Sequence, residues 1–206
     1  AKVLYALARN LQKYARLTSV LETLDNGKPI RESRDADIPL AIRHFYHHAG
    51  WAKLQDQELP NHGPVGVAAQ IIPWNFPLLM LAWKVAPAIA MGNRVILIAS
   101  EPFPLMATDF YQILETSDVP AGVVNILTGS HTELAPHMAK HMNIDAVWSF
   151  SSSALSTTIE REAAVNLKRT WVNHSLARDW AGPAGEGRQF LQAATEIKTI
   201  WVPYGE

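Results

Sequence analysis

Apolar residues recur at helical spacing near the start of the chain. Val3, Leu7, Leu11, Tyr14, Leu17, Leu21 and Leu24 form one stripe, which predicts a single amphipathic helix over Lys2 to Leu24. Asp25-Asn26-Gly27 followed by Lys28-Pro29 supplies the stop. A second helix is expected from about Ala36 to Lys53, with Asp35 or Asp37 near its start, and 54–64 is polar and loop-like. The rhythm then changes to short, almost unbroken apolar runs at 65–72, 94–98, 123–127, 146–150 and 170–173, which read as buried strands. Helices are expected between them, from about Phe76, over Pro104 to Thr116, His131 to His141 and Ser152 to Val165. This alternation implies parallel βαβ units in an α/β fold.

Residues 181–187, rich in Gly, Pro and Ala, read as a linker. Beyond it, 196–202 begins with period-two alternation and ends apolar. Ile197, Thr199 and Trp201 share one face of that strand; Lys198, Ile200 and Val202 share the other. Such a strand cannot bury itself and calls for a partner sheet or a second chain. The expected division is therefore 1–180 as one α/β domain, 181–187 as linker and 188–206 as an oligomerisation segment.

Composition narrows the classes. A chain of 206 residues suits one domain with an appendage, and this size buries roughly 70% of its unfolded surface. Apolar residues at 48% and charged residues at 18% fit a soluble globular protein. A net charge of −1 with no basic run argues against nucleic acid as partner. There is no cysteine, which removes disulfides, thiolate zinc sites and thiol catalysis together. The absence of a signal-peptide pattern points to the cytoplasm. The apolar stretch after Phe76 is broken by Lys84 and Pro87, well short of the roughly 20 residues a membrane span needs. His44, His47 and His48, and His137 and His141, have the spacing of helix-face metal ligands, but no HExxH pattern accompanies them. They are read as solvated helix faces, and no metal is expected.

Several segments resemble the aldehyde dehydrogenase family, in its order and at its spacing. They are LETLDNGKP (21–29), HHAGWA (47–52), QIIPWNFPLLMLAWKVAPAIAMGN (70–93), PAGVVNILTG (120–129) and NLKR (166–169), and TEIKTIWV (195–202) is similar to the family's closing strand. The resemblance implies a Rossmann-like parallel sheet with helices on both faces, an N-terminal helical pair and a C-terminal oligomerisation strand. Only about twenty residues separate the strand after NLKR from the closing strand, so the family's catalytic domain has no counterpart here. The truncated, non-catalytic second domain of family 16 members is the nearest pattern.

What the resemblance implies about sites is mostly loss. The family's nucleophile is a cysteine thiolate, and this chain has none. Removing a nucleophile costs about 10⁴ to 10⁶ in rate. Asn173 stands at the position of the general-base glutamate, and an amide cannot accept the proton. His174 beside it is read as a structural strand histidine. Asn75 matches the oxyanion asparagine, with no oxyanion left to stabilise; its expected role is to tie the turn before the following helix.

Ile71, Ile72, Pro73, Trp74, Glu101 and Ser152 match cofactor-contacting positions, with Ser152 also a good helix N-cap. Against them, Ile98 replaces a ribose-contacting lysine, and Ser151, Ser156, His131 and Ala135 replace glycines around the pyrophosphate and adenine. The expectation is therefore no bound cofactor. The expected function is a catalytically inactive aldehyde-dehydrogenase-like domain for oligomer assembly or protein binding. Its partner would be a second copy or a partner domain, docked through the closing strand. The alternative is a domain that still binds NAD(P), with catalysis supplied elsewhere in a parent protein.

Overall fold

The computed structural model describes residues 1–197 and 202–205. It begins with α1 (Lys2–Lys13) and α2 (Ala15–Asn26), which together cover the stripe expected to form one helix. Tyr14, at φ −98° and ψ 14°, ends α1. The buried face also changes there: α1 buries Leu4, Leu7, Ala8 and Leu11, whereas α2 buries Thr18, Ser19 and Glu22 and leaves Leu17 and Leu24 exposed. Gly27 closes α2 in the left-handed region, φ 80°, where a side chain would be strained.

Helical backbone resumes at Ile30. The short α3 (Ile30–Glu32) passes through a wider turn, Ser33–Asp37, into α4 (Ile38–Glu58). The expected loop over 54–64 is thus helical to Glu58. Its final turn is secured from far along the chain, where the Arg188 guanidinium donates to the Glu58 carbonyl at 3.0 Å.

The strands β1 (Gly63–Pro64), β2 (Val67–Ile71), β3 (Arg94–Ile98), β4 (Val124–Leu127), β5 (Ala146–Ser149), β6 (Arg169–Val172) and β7 (Thr195–Glu196) follow. Connecting them are α5 (Pro77–Ala90), α6 (Leu105–Thr116), α7 (His131–Lys140), α8 (Ser153–Ala163) and, before β7, α9 (Gln189–Ala194). β2 to β6 form a five-stranded parallel sheet in the order β4-β3-β2-β5-β6. This is the expected Rossmann-like α/β architecture.

Side-chain alternation assigns the two faces. Ala68, Val95, Leu97, Ala146 and Trp148 join the large core with α1, α4, α5, α6 and α9. Ala69, Ile71, Ile98 and Val147 join a smaller core with α7 and α8. Both faces are covered, which is why the strands read as continuous apolar runs.

The segment after the glycine-rich stretch packs into the same large core. Phe190, Leu191 and Ala194 are buried there. Asn93 ties it down: its Nδ2 donates to the carbonyls of Ala88 (2.9 Å) and Ala194 (2.7 Å), and its Oδ1 accepts from Gly66 N–H at 2.9 Å. β7 then pairs antiparallel with β1, Glu196 opposite Gly63. Residues 198–201 of the expected closing strand lie outside the described residues. No helix among the described residues is long and apolar enough to cross a membrane.

Candidate functional site

β2 is the first strand of the sheet in chain order, and it lies between β3 on one side and β5 on the other. The connection order reverses there, and in open α/β sheets the crevice beyond the carboxyl ends of such strands is where ligands sit. A cleft of about 1110 Å³ opens at that place. Its walls come from the segments after all five strands: Pro73–Phe76, Glu101–Pro102, His131–Thr132, Phe150–Ser152 and Asn173–Trp180.

Pro73, Trp74, Asn75, Glu101, Ser152 and Asn173 all line this one cleft. Ile71 and Ile72 do not; they are buried at the end of β2, where Lys84 Nζ donates to the Ile71 carbonyl and Ile72 N–H donates to Ile98 O at 3.0 Å. Lys84 is itself fully buried beneath the Phe150 ring, 4.8 Å from its centre, and burial pushes its ammonium down to about 7.

The turn after β2 is held from behind. Asn26 Nδ2 donates to the Trp74 carbonyl at 2.6 Å, and Lys28 Nζ donates to the Asn75 carbonyl at 3.0 Å. Both side chains of the turn are exposed, Trp74 to 64%. The expectation that Asn75 ties the turn with its side chain is not met, because α5 begins after Phe76 with no side-chain cap. The tie is the backbone carbonyl of Asn75 instead. Lys28 also reaches Asp37 Oδ2 (2.6 Å) and stands 3.6 Å from Glu22 Oε1. Burial pushes the Glu22 carboxyl up to about 7, and the Asp37 carboxyl upward too, against the pull of Lys28.

Ser152 caps α8, accepting from Leu155 N–H at 3.2 Å. Glu101 accepts the His131 N–H at 2.8 Å through one oxygen, Oε2. The residues that replace family glycines leave the cleft open. The His131 ring folds back onto the Ala99 carbonyl at 2.7 Å, and Ala135 is buried in the smaller core. Ser151 Oγ pairs with Ser149 Oγ at 2.7 Å, and the buried Ser156 hydroxyl accepts from His174 N–H at 3.3 Å.

On the segment after β6, the sequence pointed to Asn173 and His174 but not to Ser175–Trp180. Asn173 Nδ2 donates to the Leu176 carbonyl at 3.0 Å. His174 is not in a strand: it follows β6 in the left-handed region at φ 47°, and Ser175 does so at φ 65°. Arg178 stands among the rings of Phe150, Trp171, Trp180 and Phe190, 5.3 to 5.9 Å from their centres, and donates to Gln189 Oε1 at 2.7 Å. An arginine two residues before a tryptophan, Arg178-Asp179-Trp180, is the sequence trace of that arrangement.

Two of the histidines expected on solvated faces are core residues. His44 and His48 are buried with centroids 4.5 Å apart, against Trp83 and Phe190. Burial pushes both imidazoles down, His48 to about 3, so they pack as neutral rings. Among the described residues no group of three His, Asp or Glu side chains has metal-site geometry.

The aldehyde dehydrogenase family model matches residues 1–175. The chain belongs to this family. It is 38% identical over 179 residues to "Putative aldehyde dehydrogenase DhaS" of Bacillus subtilis, covering 82% of this chain and 36% of that protein. An aldehyde dehydrogenase of Alternaria alternata aligns over 99% of this chain, at 36% identity, and over 42% of its own length. Among solved structures, the NAD+ complex of an aldehyde dehydrogenase from Bacillus cereus superimposes with a TM-score of 0.78 at 31% identity, covering 83% of this chain and 37% of that one. Betaine aldehyde dehydrogenase of Staphylococcus aureus in complex with NAD+ gives the same TM-score and identity, over 36% of its length. This chain thus spans roughly two-fifths or less of the aldehyde dehydrogenases it matches.

These neighbours overturn the expectation of no cofactor. They are NAD+ complexes, so dinucleotide binding is the property of this family's fold. Lost glycines are not lost space here: Ala135 and Ser156 are buried, and the His131 and Ser151 side chains are tied back along the cleft wall.

Proposed function

We propose that this chain is the dinucleotide-binding unit of an aldehyde dehydrogenase family protein, holding NAD(P)+ while lacking aldehyde oxidation of its own. The observation that carries the reading is the cleft of about 1110 Å³ at the strand carboxyl ends, with Glu101 and the N-terminus of α8 on its walls. Ser152 and the free N–H groups that start α8 would face the pyrophosphate, where a helix end favours negative charge. The unused Oε1 of Glu101 would accept from a ribose hydroxyl. Trp74, exposed at the mouth, would cover the bound nucleotide. The nicotinamide, when bound, supplies a hydride acceptor.

This chain supplies no partner for that hydride chemistry. It has no cysteine to form the thiohemiacetal from which hydride leaves, and Asn173 cannot act as base. Calorimetric titration with NAD+ and NADP+ tests the first half; saturable heat is expected, and none at millimolar nucleotide would overturn it. Incubation with aldehydes and NAD+ tests the second half, where no rise in NADH absorbance is expected and any enzyme-dependent rise would overturn it.

Assembly through the closing strand belongs to the same proposal, supported by β7 joining β1 at the start of that strand. Deleting 195–202 is expected to shift the light-scattering mass to that of a monomer.

A further inference from the structure

Three side chains of α8 grip one histidine. Ser153, Ser156 and Glu160 stand at i, i+3 and i+7 and therefore share a face of the helix. Over that face lies His174, whose left-handed backbone (φ 47°) is costly for a residue with a side chain. Its N–H donates to Ser156 Oγ at 3.3 Å. Its ring spans the other two: Nδ1 lies 3.5 Å from Ser153 Oγ, and Nε2 lies 3.1 Å from Glu160 Oε2. One tautomer satisfies both contacts. Nε2–H donates to the Glu160 carboxylate, leaving the Nδ1 lone pair to accept from the Ser153 hydroxyl.

We infer that Ser153, His174 and Glu160 form a hydrolytic acyl-transfer site for small, uncharged carboxylic esters. The order hydroxyl, imidazole, carboxylate is the one in which a weak nucleophile is activated, and it is recognised by geometry rather than by fold. Ser153 attacks, His174 takes and returns the proton, and Glu160 is a positioning residue that fixes the tautomer.

The site also has oxyanion donors. Ser152 Oγ occupies Leu155 N–H, and the helical ladder begins at Ser156 N–H to Ser152 O, 3.0 Å. That leaves the N–H groups of Ser153 and Ala154 at the positive end of α8, beside the nucleophile; a bound pyrophosphate would compete for them, so the ester site belongs to the nucleotide-free chain. The site is open, with His174 exposed to 38% and Glu160 to 45%. It offers no deep acyl pocket, and Glu160 disfavours anionic substrates.

The chemistry closes without an external oxidant or metal. Ser153 Oγ bonds to the ester carbonyl carbon while its proton passes to His174 Nδ1. The bond to the alcohol oxygen breaks, and that proton leaves with the alcohol. Water, deprotonated by the same nitrogen, then displaces the acyl group as a carboxylic acid and restores the serine.

The test is p-nitrophenyl acetate hydrolysis by the full chain without nucleotide, with a fluorophosphonate label mapped by peptide mass spectrometry. Saturable turnover with a burst is expected, and the label is expected on Ser153. Ser153→Ala should remove the burst and lower turnover by about 10² or more. Glu160→Gln should lower kcat with KM unchanged, and Glu160→Asp should restore part of it. His137→Ala, an exposed histidine elsewhere, should change nothing. Label on another residue, turnover persisting in a folded Ser153→Ala protein, or a rate no higher than that of free imidazole would each overturn the inference. NAD+ titration of Ser153→Ala tests the cofactor cleft separately, so the two readings can fail independently.

Discussion

Two turns line the cleft, both tied through their backbone, but only the second is tied through its own polar side chains as well. The turn after β2 is gripped through its backbone, by Asn26 on the Trp74 carbonyl and Lys28 on the Asn75 carbonyl. The exposed Trp74 and Asn75 side chains take no part in that grip, whereas the Phe76 ring packs against the large core with Lys28 Nζ 4.8 Å from its centre. The turn after β6 is gripped through its side chains as well as its backbone, where Ser175 N–H donates to Ser151 O at 2.9 Å and Leu176 N–H to Asn173 O at 2.8 Å. Asn173 bonds the Leu176 carbonyl, the His174 ring is pinned between Ser153 and Glu160, and Ser175 leans on the Ser151 carbonyl. A turn held by its backbone keeps its shape whatever its side chains become. A turn that also leans on its own side chains loses those ties when they change.

The largest test of this contrast is Lys28→Ala. It would leave the Glu22 and Asp37 carboxylates buried without a counter-charge and strip the Asn75 carbonyl of its donor. Breaking a buried charge pair in this way costs about 3–5 kcal/mol, readable as a lower urea midpoint. A loss below about 1 kcal/mol would mean that the turn is anchored elsewhere.

Next is the pH dependence of that anchor. Glu22 goes from an ordinary 4.5 in the unfolded chain to about 7 when folded, through burial. Between those values the folded protein holds a proton that the unfolded chain has released. The Glu22 contribution to stability should therefore fall as pH rises from about 4.5 to about 7, with Asp37 adding in the same direction and the buried, neutral His44 and His48 acting in the opposite one. In melts at pH 5 and pH 7.5, the change in stability between the two pH values should be more favourable for Glu22→Gln than for wild type, by up to about 3 kcal/mol. Equal losses would remove Glu22 as the titrating group.

The smallest expected effects fall on the paired asparagines themselves. Asn173→Ala removes a bond that shapes its turn and should cost about 1 kcal/mol. Asn75→Ala, with an exposed side chain, should stay within about 0.5 kcal/mol. Equal costs at the two positions would erase the distinction between the turns.

The sheet was legible because its strands are covered on both faces, so β2 to β6 show as apolar runs within two residues of their observed ends. The break at Tyr14 was not, since no glycine or proline marks it. His44 and His48 misled for a different reason. Polar residues at helical spacing look solvated, until distant Trp83 and Phe190 enclose them.

At the site, the turn after β2 and the Ser152 helix cap were readable from local patterns. The His174 clamp was not. The spacing of Ser153, Ser156 and Glu160 is local, but the meeting with His174 depends on β6 lying beside β5 and on a left-handed backbone. α9 escaped notice because six residues are too few to show a period.

The Asn93 side chain has a kinetic consequence. It joins Gly66 and Ala88, 27 and 5 residues away, to Ala194, 101 residues away. Closing so long a loop carries an entropy cost that local helices and neighbouring βαβ units do not bear. The sheet can therefore assemble while the amide of Asn93 is still half satisfied, and α9 arrives last as a latch on an almost finished domain.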